Sequence, residues 1–219
     1  MPDLSDTSLI QFNDWTLRVR PATVKPARLL LLLHGYTGDE NSMWVFAKDL
    51  PHHYWMIAPR APYPSELTGY SWRPLQPGTF GRPSLEELIP QAEALIRLVD
   101  EYQASAKIEA PDFDVMGFSQ GGAMSNVLAF LHPQRVRKMG ILAGFVPSGL
   151  DVYAKDHPLE GKSVFVTHGT RDEMVPIDRA RASVAVLEQA GAKIVYCEDD
   201  VGHKVSLHCV RALRSYLED

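Results

Sequence analysis

The sequence predicts an open, mostly parallel α/β sheet with helices on both faces. Two observations carry that expectation: short, nearly continuous apolar runs alternate with helix-like segments, and a Gly-x-Ser-x-Gly turn falls where one such run meets a helix. Strands are expected near 12–20, 29–33, 55–58, 112–116, 139–143, 163–167 and 193–197. Runs that are apolar throughout, such as Leu29 to Leu33, suit strands covered on both faces. Helices are expected near 41–49, 84–104, 121–131, 178–189 and 204–217. Ser84-Leu85-Glu86-Glu87 has the spacing of a capping box, followed by an apolar stripe at Leu88, Ala92, Leu95 and Val99. Pro133 stops the third helix. In such sheets functional groups gather beyond the carboxyl ends of the strands, so each catalytic candidate should lie just after a strand.

Composition narrows the class of protein. The chain has 219 residues, the size of one domain over 1–219, with 45% hydrophobic and 22% charged residues. A net charge of −5, spread along the chain, offers no basic stripe for nucleic acid. The start Met1 to Asp6 is acidic and polar rather than leader-like, and the leucine run at 29–33 is far too short to span a bilayer. A cytoplasmic protein without stable membrane insertion is expected. Its two cysteines, Cys197 and Cys209, are expected to be reduced, and they lack the clustered spacing of a zinc site.

Gly117-Phe118-Ser119-Gln120-Gly121 matches the nucleophile elbow, a sharp strand-to-helix turn that pushes a serine hydroxyl into a site. Glycines two residues either side let strand and helix pass close together. Serine needs a general base, itself oriented by a third group, and after such an elbow the order is Asp or Glu, then His. Asp172 lies in the loop after the 163–167 strand, and His203 in the loop between the 193–197 strand and the last helix. Glu173 competes with Asp172, and Asp199 or Asp200 could orient His203 locally. His34 and His168 precede glycines at strand ends, where they brace loops. The oxyanion hole calls for two backbone N–H groups, for which Gln120 and Tyr36 are the candidates.

His34-Gly35, the GFSQGGAM block from Gly117, the HGTRDEMVP block from His168 and Gly202-His203 resemble the phospholipase/carboxylesterase family, which includes acyl-protein thioesterases and small bacterial carboxylesterases. The resemblance runs from about Leu29 to the C-terminus. It implies an α/β-hydrolase fold without a large lid, a Ser119–Asp172–His203 triad, and Tyr36 and Gln120 as oxyanion donors. It also implies cofactor-free, metal-free hydrolysis of a small-molecule acyl ester or thioester. Relatives often dimerise, so a homodimer is open, though no surface stripe marks one. Two departures matter: Tyr36 follows His-Gly where the thioesterases usually carry leucine, and Tyr70-Ser71-Trp72-Arg73-Pro74 stands where relatives tend to carry Trp-Phe-Asp. A small-molecule carboxylesterase fits these better than a protein depalmitoylase. Trp72 and Tyr70, with Tyr63, Leu75 and Phe80 from the same loop, and Phe145, Val146 and Leu150 from the 144–162 connection, are candidates for an apolar acyl groove, as is Val175. Competing classes fit less well: peptidases of this fold usually carry a cap, a binding module would not need all three triad residues, and dienelactone hydrolases commonly use cysteine.

Overall fold

The computed structural model describes residues 4–47, 49–74 and 83–218. A hairpin comes first, β1 (Ser8–Phe12) against β2 (Trp15–Arg20), with Phe12 opposite Trp15. The single early strand expected over 12–20 is therefore two strands. Asn13 has φ 50°, a left-handed conformation that asparagine tolerates, and it turns the chain back. There follow β3 (Arg28–Leu33), α1 (Trp44–Ala47) and β4 (Tyr54–Pro59), then the two-residue strands β5 (Tyr63–Pro64) and β6 (Tyr70–Ser71). Next are α2 (Leu85–Ala106), β7 (Phe113–Phe118), α3 (Gln120–Leu131), β8 (Val136–Leu142) and β9 (Ser163–Gly169). The chain closes with α4 (Ile177–Gln189), β10 (Lys193–Asp199) and α5 (Leu207–Glu218).

Eight strands form one sheet in the order β1-β2-β4-β3-β7-β8-β9-β10, parallel from β4 to β10 and antiparallel at the β1–β2 end. Alternation along β3 feeds two cores. Leu29, Leu31 and Leu33 pack with α2 and α3 residues such as Leu95 and Val127, while Leu30 and Leu32 pack with Trp44 of α1 and Leu213 of α5. All five leucines are fully buried, as an apolar run without alternation implies. The capping box of α2 is present: Ser84 Oγ accepts from Glu87 N–H, and the Glu87 carboxylate accepts from Ser84 N–H.

Two helices begin later than their sequence suggests. Residues 41–43 are turns because Asp39 Oδ1 accepts from Asn41 N–H at 2.9 Å and Ser42 Oγ at 3.0 Å, a local arrangement that competes with helical bonding. Residues 200–206 form the loop that carries His203, so α5 starts at Leu207. The cysteines correct another expectation: Cys197 and Cys209 are joined by a disulfide. Cys197 on β10 faces the side of the sheet that α5 covers, and both cysteines belong to the same buried cluster, so twelve residues of separation close into contact. Among the described residues, no helix is long and apolar enough to cross a membrane.

Candidate active site

Ser119 links β7 to α3 with φ 52° and ψ −113°, a conformation foreign to ordinary L-residues. Surrounding bonds hold it there. Ser119 N–H donates to Leu142 O at the end of β8 (2.8 Å), and Ser119 O accepts from Ala123 N–H (3.0 Å). The flanking glycines are required by distance alone. A Cβ on Gly117 would lie 2.1 Å from Gly121 O, and one on Gly121 would lie 2.1 Å from Leu33 O.

The structure brings together the three residues singled out in sequence. His203 Nε2 lies 3.0 Å from Ser119 Oγ, and His203 Nδ1 lies 2.7 Å from Asp172 Oδ2. Asp172 follows β9 and its side chain is buried; its Oδ1 accepts from Met174 and Val175 N–H at 2.9 Å each. A second imidazole also reaches it, His168 Nε2 at 3.2 Å from Oδ2, which sequence reasoning had assigned only to loop bracing. The alternatives lie elsewhere: Asp200 pairs with Arg171, Asp199 Oδ1 accepts from Asp200 N–H, and Glu173 is exposed on the rim of the Ser119 cavity. The His203 loop is seated closely on β9, since a Cβ on Gly169 would meet Val201 O and Gly202 O at 2.3 Å.

Around the candidate oxyanion hole, three chain segments are knitted together. Tyr36 sits in the turn after β3, and Gln120 opens α3, where the first N–H groups of a helix lack intrahelical acceptors. The Gln120 amide oxygen accepts from Trp72 N–H (2.9 Å), while its amide N–H donates to Ser71 Oγ (3.1 Å). Trp72 Nε1–H in turn donates to His34 O (2.8 Å). Thr37 and Gly38 pair with Tyr70 through Thr37 N–H to Tyr70 O (3.0 Å) and Tyr70 N–H to Gly38 O (2.9 Å). His34 donates from Nδ1 to Gly35 O (2.7 Å) and accepts at Nε2 from Ala61 N–H (3.0 Å). Burial pushes its pKa down to about 4, so this pattern persists at neutral pH.

A cavity of about 1010 Å³ opens over Ser119 and His203. Phe145 and Val175 line it, as do Tyr36, Thr37, Phe118, Gln120, Met174 and Arg179. The Arg179 guanidinium lies 3.6 Å over the Phe145 ring. Four groove candidates are placed elsewhere. Trp72 is fully buried, its indole N–H donating to His34 O, so it supports the 34–38 turn from behind. Tyr70 borders a separate cleft with Arg60 and Trp15, where the Arg60 guanidinium lies 4.8 Å over its ring. Leu150 is core, Val146 packs against the core, and Leu75 and Phe80 lie outside the described residues.

The family model described as Phospholipase/Carboxylesterase matches residues 16–219. Among curated relatives, a protein described as probable carboxylesterase SOBER1-like from Arabidopsis thaliana is 24% identical over 191 residues, 81% of this chain and 67% of that protein. The carboxylesterase SOBER1 of the same plant is 25% identical, and the match spans 64% of its length. An acyl-protein thioesterase 1 from Mycosarcoma maydis is 27% identical over 79% of this chain and 81% of its own. Among solved structures, a carboxylesterase from Mesorhizobium loti superposes with a TM-score of 0.82 at 22% identity, covering 98% of this chain and 99% of that one. The Bacillus cereus carboxylesterase gives 0.80 at 21% identity, with 94% of each chain covered. The chain belongs to the phospholipase/carboxylesterase family of α/β-hydrolases, whose common chemistry is the hydrolysis of esters and thioesters.

Proposed function

We propose that this protein is a serine carboxylesterase that cleaves short- to medium-chain acyl esters through an acyl-enzyme on Ser119. The observation that carries the reading is the unbroken line from Ser119 Oγ through His203 to Asp172 at 3.0 and 2.7 Å, at the floor of an apolar-walled cavity. His203 Nε2 takes the Ser119 proton as Oγ attacks the acyl carbonyl. Asp172 fixes the tautomer that leaves Nε2 free to do so and stabilises the imidazolium that forms. The backbone N–H groups of Tyr36 and Gln120 receive the oxyanion, and His203 then protonates the departing alcohol. Water repeats the cycle and frees the serine. Losing one such donor typically costs about 3 kcal/mol of barrier, which explains why so many bonds fix the 34–38 and 70–73 segments.

A thioester-directed reading, as an acyl-protein thioesterase or lysophospholipase, is favoured by the relatives that bear the former name. The same residues would serve a thiol leaving group. Hydrolysis of p-nitrophenyl esters of rising chain length beside acyl-CoA thioesters, with wild type and Ser119→Ala in parallel, separates the two. Activity abolished in the variant and highest on short esters is expected. A Ser119→Ala protein with full activity would sink the scheme.

Residues 1–219 are read as one hydrolase domain acting without cofactor. A homodimer is the assembly to test, by light scattering. A cytoplasmic location is set against the Cys197–Cys209 bond, since disulfides are rare where thiols are kept reduced. Cell fractionation decides between them.

A further inference from the structure

His168 is the penultimate residue of β9, and its side chain is wholly buried. Its Nε2 faces two acceptors, the Val175 carbonyl at 2.7 Å and Asp172 Oδ2 at 3.2 Å. Neither can donate, so Nε2 must carry the proton. Nδ1 is then bare, and it finds no hydrogen-bond partner among the described residues. Leaving a buried polar atom unmatched is costly, and a leucine would fill this place without the penalty. A histidine retained there is explained by what its other nitrogen does.

Asp172 shows what that is. Its Oδ1 accepts the N–H groups of Met174 and Val175 and its Oδ2 accepts from His203, while His168 Nε2 lies 3.2 Å from Oδ2 with its hydrogen bond made to the Val175 carbonyl. We propose that His168 is a positioning residue for Asp172: its Nε2–H holds the Val175 carbonyl, the Val175 N–H holds Oδ1, and Oδ2 thereby stays aimed at His203. This rests on the triad reading above. Burial holds the His168 pKa below its ordinary value, so the ring donates without adding a charge that would compete with the imidazolium on His203. Because that bond goes to Val175, His168 leaves Oδ2 to His203, and its effect is orientation. Val175 also walls the acyl cavity, so the same bond couples the acid to the substrate surface.

The test compares His168→Leu, which fills the space without a donor, with His168→Gln, whose amide N–H reaches the Nε2 position. In His168→Leu, kcat on a neutral p-nitrophenyl ester should fall about ten- to a hundredfold with KM little changed, the cost of leaving the buried Val175 carbonyl without its donor. His168→Gln should restore most of it. In an Asp172→Ala background the leucine change should cost nothing further, because its only route to the reaction is gone. Wild-type kcat in folded His168→Leu, or an additional loss on top of Asp172→Ala, overturns the proposal. If His168→Leu does not fold, His168→Asn replaces it, since its shorter amide reaches the Nδ1 position instead; equal kcat in the Asn and Gln variants then counts against it. Ser119→Ala and Asp172→Ala, assayed alone, show separately whether the triad reading itself holds.

Discussion

Cys197 and Cys209 are bonded across the base of the loop that carries His203, which lies six residues from each. One sulfur is anchored in β10 and the other in α5, so the bond fixes both ends of the segment that must hold the imidazole 3.0 Å from Ser119 Oγ. Hydrogen bonds add to it: Arg171 N–H donates to Val201 O at 3.0 Å, Val201 N–H donates to Asp199 O at 2.8 Å, and the Arg171 side chain reaches Asp200 O at 2.7 Å.

Breaking that bond should therefore affect both stability and turnover. A Cys197→Ser/Cys209→Ser protein is expected to lose about 3 kcal/mol of stability, the chain-entropy value for a short closed loop. Its kcat should drop more than its KM rises. Urea melts and ester kinetics on the oxidised protein, the dithiothreitol-treated protein and the double variant check this. Equal kcat in all three would show that the loop is held without the disulfide.

Gly117→Ala and Gly121→Ala should each destabilise the protein strongly. In both cases the new methyl meets backbone carbonyls near 2 Å rather than a side chain able to move away. The expected loss is at the upper end of the overpacking range, about 3 kcal/mol. Gly161→Ala is the control on space, because nothing lies within 4 Å of a Cβ there; its φ of 74° leaves only the smaller cost of left-handed backbone.

Gln120→Ala keeps the backbone N–H proposed to face the oxyanion but removes the side chain that receives Trp72 N–H and holds Ser71. A buried donor left unmatched costs about 1–3 kcal/mol. The 70–73 segment, and with it the Tyr36 turn, should loosen. Lower kcat with an unchanged chain-length preference is expected in steady-state assays, whereas Phe145→Ala should shift the preference, since that ring walls the cavity.

His34 makes stability depend on pH. Its pKa is about 4 in the fold and 6.5 in an unstructured chain, so between these values the unfolded state binds more protons. Stability from this residue is fully present above about pH 6.5 and is lost as pH falls towards 4, amounting to about 3 kcal/mol at about 1.4 kcal/mol per unit. His168, also held neutral by burial, acts in the same direction. Urea denaturation at pH 7 and pH 5 should show the loss. His34→Gln, whose amide oxygen can still accept from Ala61 N–H, should flatten the dependence.

Much of the molecule was legible in the residues themselves. Leu29 to Leu33, apolar throughout, suited a strand buried on both faces. Two glycines bracketing Ser119 announced a turn too tight for side chains, and the chain order of Ser119, Asp172 and His203 matched the carboxyl ends of β7, β9 and β10. These features are local: each follows from periodicity, from steric demand within five residues, or from the place of a loop after a strand.

What only the tertiary structure decided depends on which way side chains face across the sheet. Trp72 and Tyr70 are neighbours in sequence, and both looked like groove residues. The Arg60 guanidinium over the Tyr70 ring holds it in a different cleft, while the Trp72 indole is buried with its N–H on His34 O. Cys197 and Cys209 bond because β10 presents position 197 to α5, a fact of sheet face rather than of spacing. His168 reads as one more histidine at a strand end; its place on Asp172 arises because the 169–175 loop folds back over β9 and returns the carboxylate to the strand it left. Sequence determines which residues can do the chemistry, and the fold decides which of them meet, since contacts between strand ends are set by registers and turns that no single segment contains.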